Sequence, residues 1–442
     1  MSIATGSALT PAWTQLRPHS QQARLWRTKA RFIAVAAGRG SGKTELARRR
    51  VVRYLPVRKD WPNPLYFYAL PTYKQARRVA WRPLLNLIPK QWIKGTANET
   101  DMRIDTIFGS TLYVVGMDKP QRIEGDQWDG GVSDESCDQK PGSFARSILP
   151  ALSHRYGWCW RIGVPKRTGV GAAEFKEFFY KGIEAQKLPD HDQESYTWSS
   201  EDILSEDQLK WARENLDPLD YNEQYRASWE SIGGLIFHAF HEVMNVRDDI
   251  QYNPNKTLII GSDFNVSPMA WVIAQIDEVA GQKYLYILDE IFERNTNTQA
   301  TLDKLFYSYG RSHGGGFYFF GDATSRARNT RASESDYIQI RNDIRFKGAR
   351  VFYPKHNPNR ANRFAACNAM LCNALGTRRC FIHPRCKNLI RDLTSRAYKE
   401  GTNEPDDYGE VGHITDAFGY VVYTVFPLHV AQDSRAEVFV GM

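Results

Sequence analysis

A chain of 442 residues with 24% charged and 42% hydrophobic residues has the ordinary composition of a globular protein of two or three domains. No apolar run approaches the roughly 18 residues that a membrane helix needs, and the start MSIATGSALTPAWTQL lacks a secretion signal, so we expect an intracellular protein. The net charge of +8 is concentrated in residues 1–60, with 13 Lys and Arg against 2 Asp and Glu, which suits phosphate-bearing partners.

The N-terminal part of the chain alternates strand and helix patterns. Residues 31–37 (RFIAVAA) predict a buried strand, and 44–54 predict a helix. Further strands are predicted at 64–70 and 110–116, and this alternation is typical of an α/β sheet. The first helix carries the arginines 48–50, for which contact with phosphate and a solvated helix face both remain open.

The loop between that strand and that helix has the pattern of a phosphate-binding loop. Its glycines let backbone N–H groups approach phosphates, and the start of the helix favours their negative charge. We expect Lys43 to reach the β- and γ-phosphates of ATP and Thr44 to ligate Mg²⁺. The first glycine of the usual pattern is Ala37 here. The predicted nucleotide-binding residues of the loop are Gly38, Arg39, Gly40, Ser41, Gly42, Lys43 and Thr44.

An acidic pair that completes a nucleotide site should follow a later strand. Asp134 and Glu135, in GGVSDE, are the best candidates, although only Val132 is clearly apolar in the preceding segment. Asp134 would hold the Mg²⁺ that accompanies ATP, and Glu135 would activate the attacking water. The alternative is two solvated surface acids; the phosphate-binding loop upstream favours the catalytic interpretation.

Strand patterning restarts after residues 231–234 (SIGG), whose paired glycines suggest a hinge. Strands at 257–264, 270–276 and 283–288 are followed by a helical segment at 298–309 and a strand at 316–320. This order is that of a ribonuclease-H-like fold. We therefore predict an α/β chain with a P-loop ATPase domain at 1–230, including a lid or linker near 186–232, and a ribonuclease-H-like nuclease domain at 233–442.

Three aspartates of the second block end or lie within apolar segments. Asp263 and Asp322 end predicted strands, and Asp416 lies in the helix-like segment HITDAFGYVV. Burying a carboxylate is costly unless it is paired or binds a metal, so three such acids imply a shared cation site. Oxygen ligands select Mg²⁺ or Mn²⁺, and two such ions would clamp the attacking and leaving oxygens of a phosphodiester.

Residues near these acids have more than one interpretation. Asp289 and Glu290 close a predicted strand, where an acid either supplies a fourth metal ligand or is a turn residue. His413 lies three positions before Asp416 on the same helical face. It either contacts the site or the DNA, or makes a structural hydrogen bond.

Two compositional clusters also remain open. The segment 378–399 carries seven Lys and Arg residues against one acid, Asp392, which suits either phosphate contact or an ordinary solvated helix. Four of the six cysteines cluster near His383 but lack the short spacings of structural zinc sites. We therefore expect reduced, partly buried thiols rather than a zinc site.

These motifs together resemble those of the large terminase subunits of tailed bacteriophages along nearly the whole chain. Residues 18–22 (PHSQQ) look like that family's adenine-contacting motif, with Gln22 as the base reader, and GRGSGKT resembles its variant Walker A loop, in which Arg39 is typical. Residues 69–77 and 122–125 are similar to its segments after the second strand and before the acidic pair. Residues 161–169 (RIGVPKRTG) look like the motif that couples hydrolysis to movement, although Gly and Val stand where Ser or Thr is usual.

The same resemblance implies roles for individual residues. Asp263, Asp322 and Asp416 fall on the positions of the family's nuclease triad, and HITDAFGY resembles its Asp-Ala-x-x-Tyr helix. Related terminases carry an arginine that acts on a neighbouring subunit's ATP between the acidic pair and the coupling motif. Arg146 is the preferred candidate for it, and Arg155 is the alternative.

The resemblance implies a motor that translocates double-stranded DNA into a procapsid and cuts the concatemer. The implied partners are double-stranded DNA, a portal ring, a small terminase subunit and further copies of the chain in a pentamer, in the host cytoplasm and without a membrane. A helicase–nuclease or transposase-like enzyme is one alternative, although a helicase needs a second motor core and a transposase needs no P-loop. A docking component switched by ATP is another, and it would turn over slowly and ignore DNA.

Overall fold

The computed structural model describes residues 12–167, 169–229, 234–265, 267–323, 335–399, 402–407 and 409–428. The chain divides into two compact units, one of Met1–Leu209 with Asn222–Ser231, the other of Lys210–Tyr221 with Ile232–Met442. The expected hinge residues 231–233 lie outside the described residues, as does Thr168 of the expected coupling motif.

The first unit contains a seven-stranded sheet in the order β3-β4-β2-β5-β6-β1-β7. Its strands are parallel except for β3, which runs antiparallel to β4 at the edge. The strands are β1 Phe32–Ala37, β2 Leu65–Leu70, β3 Arg103–Asp105, β4 Thr111–Gly116, β5 Gly130–Ser133, β6 Trp158–Gly163 and β7 Gln193–Trp198. The predicted α/β sheet is therefore confirmed.

The second unit contains a six-stranded mixed sheet in the order β12-β11-β8-β9-β10-β13. Strands β8, β9 and β10 form an antiparallel meander, and β11 then returns parallel to β8. The strands are β8 Leu258–Asp263, β9 Met269–Val279, β10 Gln282–Glu293, β11 Phe317–Phe320, β12 Arg350–Phe352 and β13 Cys380–Ile382. The predicted order of three strands, a helix and a strand is confirmed.

Helices cover the faces of both sheets. In the described chain they are α1 Ser20–Arg27, α2 Lys43–Tyr54, α3 Tyr73–Gln75, α4 Arg82–Leu87, α5 Leu149–Ser153, α6 Ala172–Ala185, α7 Glu206–Asn215, α8 Pro218–Gln224, α9 Glu242–Asn245, α10 Thr298–Leu305, α11 Asp336–Asn342, α12 Arg360–Leu371, α13 Lys387–Ser395 and α14 His413–Val425. Wider π-helical turns occupy Ala76–Trp81, Ser143–Ile148 and Phe306–Gly310. Among the described helices, none is long and apolar enough to cross a bilayer.

The buried strand β1 packs on both faces because its side chains alternate across the sheet. Ile33 and Val35 belong to one apolar cluster with residues of α2, whereas Ala34 and Ala36 belong to another with residues of α6. A strand covered on both sides is fixed in position. The loop that leaves β1 at Ala37 is therefore anchored by the core.

Strand β5 is weakly apolar because aromatic side chains occupy the space beside it. A Cβ atom at Gly130 would lie 2.2 Å from the Trp158 ring, and one at Gly131 would lie 2.5 Å from the Phe67 ring. Glycine is therefore required at both positions, although it lowers strand propensity. The central strand that carries the acidic pair is thus specified by its neighbours.

The second sheet also has helices on both faces. Trp271 and Ile260 pack with residues of α10 and α11, whereas Ile259 and Val272 pack with residues of α12, α13 and α14. Helix α14 crosses β8 closely, since a Cβ at Gly261 would lie 2.4 Å from the carbonyl oxygen of Ala417.

The arginines of α2 do not form a solvated face, so that interpretation is wrong. Arg49 and Arg50 are buried, and the Arg50 guanidinium lies 5.0 Å from the centroid of the Trp160 ring. Arg48 donates to the carbonyl oxygen of Val79 at 2.6 Å. These side chains stabilise the first unit and have little surface left for a phosphate.

The segment 378–399 is likewise not one solvated helix. Arg378 donates to the carbonyl oxygens of Ala239 and Leu371 at 3.0 Å each, and Arg396 is 1% exposed. All six cysteines are free, and five of them are buried.

Candidate functional sites

The glycine-rich loop joins the end of β1 to the start of α2, as predicted. Gly40 and Gly42 have φ angles of 69° and 81°, which glycine adopts without strain. Gly38 is confined, because a Cβ there would lie 2.2 Å from the hydroxyl oxygen of Ser200. A tight glycine loop that runs directly into a helix N-terminus is the arrangement that binds phosphate groups.

Lys43 is held inside this loop and is 7% exposed. Its Nζ atom donates to the carbonyl oxygen of Gly38 at 3.2 Å. Burial lowers the pKa of Lys43, and the nearby carboxylates of Glu135 and Asp134 oppose that shift. The structure therefore brings the loop lysine and the acidic pair into one electrostatic site.

Asp134 follows β5 and is 1% exposed. The Tyr68 hydroxyl donates to its Oδ2 at 2.7 Å, and the backbone N–H of Glu135 donates to its Oδ1 at 2.8 Å. Burial raises the pKa of Asp134, and the charge of Glu135 raises it further. Glu135 itself has a φ of 52°, an uncommon conformation for a residue with a side chain. The interpretation as two solvated surface acids is wrong for Asp134.

Other predicted nucleotide residues hold the loop in shape. The side-chain amide of Gln22 donates to the carbonyl oxygen of Gly42 at 3.0 Å, so Gln22 contacts the loop directly. The Ser41 hydroxyl donates to the carbonyl oxygen of Gly38 at 2.6 Å, and the backbone N–H of Arg39 donates to the carbonyl oxygen of Gln224 at 2.6 Å. The Arg39 side chain is exposed at the mouth of the loop.

The two candidate arginines differ in environment. Arg146 is exposed on the π-helical turn Ser143–Ile148. Arg155 forms an ion pair with the buried Asp129 at 2.8 Å and donates to the carbonyl oxygen of Asn63 at 3.1 Å. A side chain tied within its own unit is poorly placed to act on another subunit, so the geometry favours Arg146.

The expected coupling motif begins on β6, where Arg161 is buried. Its guanidinium pairs with Glu174 at 3.2 Å and lies 4.5 Å from the centroid of the Phe144 ring. Glu174 also accepts the backbone N–H of Gly142 at 2.6 Å, at the start of the turn that carries Arg146. Strand β6 is thus joined to that turn through one carboxylate, that of Glu174.

In the second unit, Asp263 is the last residue of β8. The His413 Nδ1 atom lies 2.8 Å from its Oδ2, and the Asn265 amide donates to the same oxygen at 2.9 Å. Burial raises the pKa of Asp263, and the carboxylates of Asp416 and Asp322 raise it further, against the hydrogen bond to His413. The carboxylates of Asp416 and Asp322 therefore lie near enough to Asp263 to act on it electrostatically.

Asp416 lies in the first turn of α14 and is held by two buried arginines. Arg363 and Arg396 each donate to its Oδ1 at 2.9 Å. Gly419 makes room for one of them, because a Cβ there would lie 2.9 Å from the Cγ of Arg363. Asp322 follows β11 by two residues and is 7% exposed.

Asp289 and Glu290 are engaged elsewhere in the fold. Glu290 accepts the backbone N–H groups of Asn388 and Leu389 at 2.8 and 2.9 Å, so it caps the start of α13. Asp289 accepts the Tyr309 hydroxyl at 2.9 Å. These bonds give both acids structural roles, and a fourth metal ligand at either position stays a prediction.

Among the described residues, no three carboxylate, histidine or cysteine side chains stand close enough to form a ready-made metal site. The donors nevertheless suit a hard cation. Every hydrogen bond that Asp263 and Asp416 accept on their side chains from the described chain reaches a single oxygen, Oδ2 of Asp263 and Oδ1 of Asp416. The second oxygen of each carboxylate remains for a ligand, and oxygen donors of this kind bind Mg²⁺ or Mn²⁺.

Four residues of these sites were missed by the sequence reasoning. Tyr68 binds Asp134, Asn265 binds Asp263, and Arg363 and Arg396 bind Asp416. Arg396 stood in the basic segment, but nothing in its spacing links it to an aspartate 20 positions later. Of these four residues, Asn265 alone had a local signal in the sequence, because it lies two positions after Asp263.

The fold is thus that of a P-loop α/β unit followed by a ribonuclease-H-like unit, each with carboxylates beside the ends of its strands. No family model matches the sequence, and no curated protein matches it. Solved structures do match. The large terminase from a thermophilic bacteriophage is similar with a TM-score of 0.56 at 16% identity, over 92% of this chain and 98% of that chain.

Two further structures of the same phage protein give the same result. The complex with ADP has a TM-score of 0.54 at 17% identity, over 92% of this chain and 98% of that chain. The complex with ATP-gamma-S has a TM-score of 0.55 at 16% identity, over 91% of this chain and 98% of that chain. At these identities the likeness establishes the fold, and it confirms at that level the resemblance to large terminases.

Proposed function

We propose that this chain is the large terminase subunit of a tailed bacteriophage, which hydrolyses ATP to package double-stranded DNA and cuts the DNA with a metal-dependent nuclease. The observation that carries the proposal is the pairing of two separate acidic sites on one terminase-like fold. One combines Lys43 with Asp134 and Glu135, and the other combines Asp263 with Asp416.

At the ATP site, each group has a role that follows from its chemistry. Lys43 neutralises charge on the β- and γ-phosphates, and the backbone N–H groups of the loop bind their oxygens. Thr44 and Asp134 would hold the Mg²⁺ that accompanies ATP. Glu135 orients the attacking water and accepts its proton. Gln22 contacts the adenine base, and Arg39 belongs to the loop that binds the nucleotide. Arg146 acts on a neighbouring subunit's nucleotide.

At the nuclease site, Asp263, Asp322 and Asp416 would hold two Mg²⁺ or Mn²⁺ ions. Ions in such a site activate water and stabilise the leaving oxygen of a phosphodiester. His413 and Asn265 orient Asp263, and Arg363 and Arg396 orient Asp416, through the hydrogen bonds given above. Cutting should show little sequence preference, because contacts to the DNA backbone carry no base information.

The proposed function places the chain in an assembly. Double-stranded DNA is the substrate, a portal ring on the procapsid is the docking site, a small terminase subunit selects the DNA, and the chain works as a homo-oligomer, a pentamer by analogy. The location that follows is the host cytoplasm, transiently on the procapsid.

Two activities measured on one protein test the proposal. Wild type should hydrolyse ATP faster when DNA is added and should cut plasmid DNA with Mn²⁺ or Mg²⁺. Glu135→Gln should bind ATP but hydrolyse it poorly, because the amide accepts no proton; Asp277→Asn, at a surface ion pair with Lys256, is the control. Slow turnover that ignores DNA would favour the ATP-switched docking component instead.

A further inference from the structure

Asp416 is held in an asymmetric way that its role as a metal ligand does not require. Both arginines donate to Oδ1, each at 2.9 Å. Arg363 is 2% exposed and Arg396 is 1% exposed, so neither guanidinium can turn away into solvent. The carboxylate is therefore fixed in rotation, and Oδ2 is the oxygen that remains for a cation.

One of the two arginines that contact Asp416 also contacts a second acid. Arg396 contacts Asp407 as well, with Nε 2.9 Å and a terminal nitrogen 2.8 Å from Oδ1 of that carboxylate. Asp407 is partly exposed and is also contacted by Arg360 at 3.3 Å. The two buried arginines therefore face two carboxylates, and the Asp416 charge is largely offset before any cation arrives.

We propose that Arg363 and Arg396 are positioning residues that fix Asp416 by one oxygen and weaken the affinity of the nuclease site for its divalent ions. The inference rests on the proposed nuclease function. Two buried positive charges beside a ligand repel an incoming cation, because Coulomb interactions are weakly screened inside a protein. The additional negative charge of the scissile phosphate would offset that repulsion, so ion binding is coupled to DNA binding.

The charge balance predicts opposite effects for two substitutions. Arg363→Gln removes one repelling charge, so Mn²⁺ should bind at least about fivefold tighter. The rate of cutting at saturating Mn²⁺ should still fall, because Asp416 has lost one of the two arginines that hold it in position. Asp407→Asn removes one of the two carboxylates that Arg396 contacts in the described chain. The positive charge of Arg396 then offsets more of the negative charge of Asp416, so Mn²⁺ should bind several-fold more weakly.

The experiment measures Mn²⁺ binding to the full chain by electron paramagnetic resonance, without nucleotide or DNA, and the rate of plasmid cutting in parallel. Asp263→Asn defines the binding that belongs to the nuclease site. Arg363→Lys keeps the charge and should restore wild-type affinity. Arg345→Gln and Asp303→Asn, from a pair at 2.6 Å in the same unit, are the matched controls and should change nothing.

Tighter Mn²⁺ binding with slower cutting in Arg363→Gln, together with weaker binding in Asp407→Asn, supports the inference. A merely structural role would weaken binding in both variants, and that result overturns it. If Arg363→Gln fails to fold by circular dichroism, Arg396→Gln replaces it, and unchanged or weaker Mn²⁺ binding in that variant refutes the inference. In Asp407→Asn, unchanged or tighter binding refutes it as well. Wild-type binding that Asp263→Asn leaves intact would instead overturn the proposed nuclease site.

Discussion

Lys43 is the residue on which the ATP site depends most directly. Lys43→Ala removes the buried charge that faces the phosphates, and removal of one such electrostatic group typically costs about 10²–10³ in rate. We expect phosphate release in the presence of DNA to fall by at least that factor. Lys74→Ala, at an exposed lysine of α3, is the control and should keep full activity. Near-normal turnover in Lys43→Ala would show that the loop does not bind ATP.

Individual residues were predictable where the signal is local. The loop Gly38–Thr44 could be located because strand, glycines and helix are contiguous, and Asp263 because it ends an apolar strand. Arg363 and Arg396 could not be assigned, since they reach Asp416 from 53 and 20 positions away. Contacts of that separation are set by how helices pack, which spacing along the chain does not encode.

The crossing of α14 over β8 gives a prediction at the scale of elements. Gly261→Ala places a Cβ against the carbonyl oxygen of Ala417, a backbone atom that cannot move alone. Overpacking of this kind typically costs about 1–3 kcal/mol, so the second unit should melt earlier and cut DNA more slowly. ATP hydrolysis should be unchanged at temperatures below that transition.

The matched control for this substitution is Gly316→Ala. A Cβ at Gly316 would lie 3.7 Å from the nearest atom, an ordinary contact. Melting followed by circular dichroism should therefore separate the two variants. Equal melting temperatures would show that α14 and β8 are not packed as closely as described.

The π-helical turn Ser143–Ile148 carries the second prediction at this scale, because Arg146 projects from it into solvent. Arg146→Ala alone should hydrolyse ATP poorly, since developing charge on the phosphate is no longer neutralised. Mixing it with Lys43→Ala should restore activity, because the second protein supplies an intact arginine to the first protein's intact loop. Full activity of Arg146→Ala alone would show that Arg146 does not act on a neighbouring subunit's ATP. The same measurements on Arg155→Ala would show whether the ion-paired Arg155 has that role instead.

The sequence predicts some strands and helices better than others, for physical reasons. Strands β1, β8 and β9 were predicted because their apolar runs are buried on both faces. Strand β5 is present where a strand was expected, but its sequence signal is weak, because glycines beside Trp158 and Phe67 replace the usual branched side chains. The helix predicted at 298–309 is real, but its last turn widens into Phe306–Gly310.

The two-unit organisation of the whole molecule predicts that the nuclease can be separated from the motor. The sequence predicts the boundary near 231–234, whereas the second unit also includes Lys210–Tyr221. In that unit the N–H of Ala374 donates to the carbonyl oxygen of Leu216 at 2.8 Å, and the Asn373 amide donates to that of Glu214 at 2.6 Å. This segment had no signal in the sequence, because its partners lie more than a hundred residues away.

We therefore expect a fragment of residues 210–442 to melt at a higher temperature than a fragment of residues 234–442, which loses those bonds and the buried Leu216. Both lie within the size range of single domains and should cut DNA with Mn²⁺ or Mg²⁺ and little sequence preference. EDTA and Asp263→Asn should abolish cutting, because an amide is a poorer ligand for a hard cation. In the full chain, Asp263→Asn should leave ATP hydrolysis largely intact. A full chain with Asp263→Asn that cuts DNA normally, or that is folded but has lost its ATPase, would contradict the separation of the two activities.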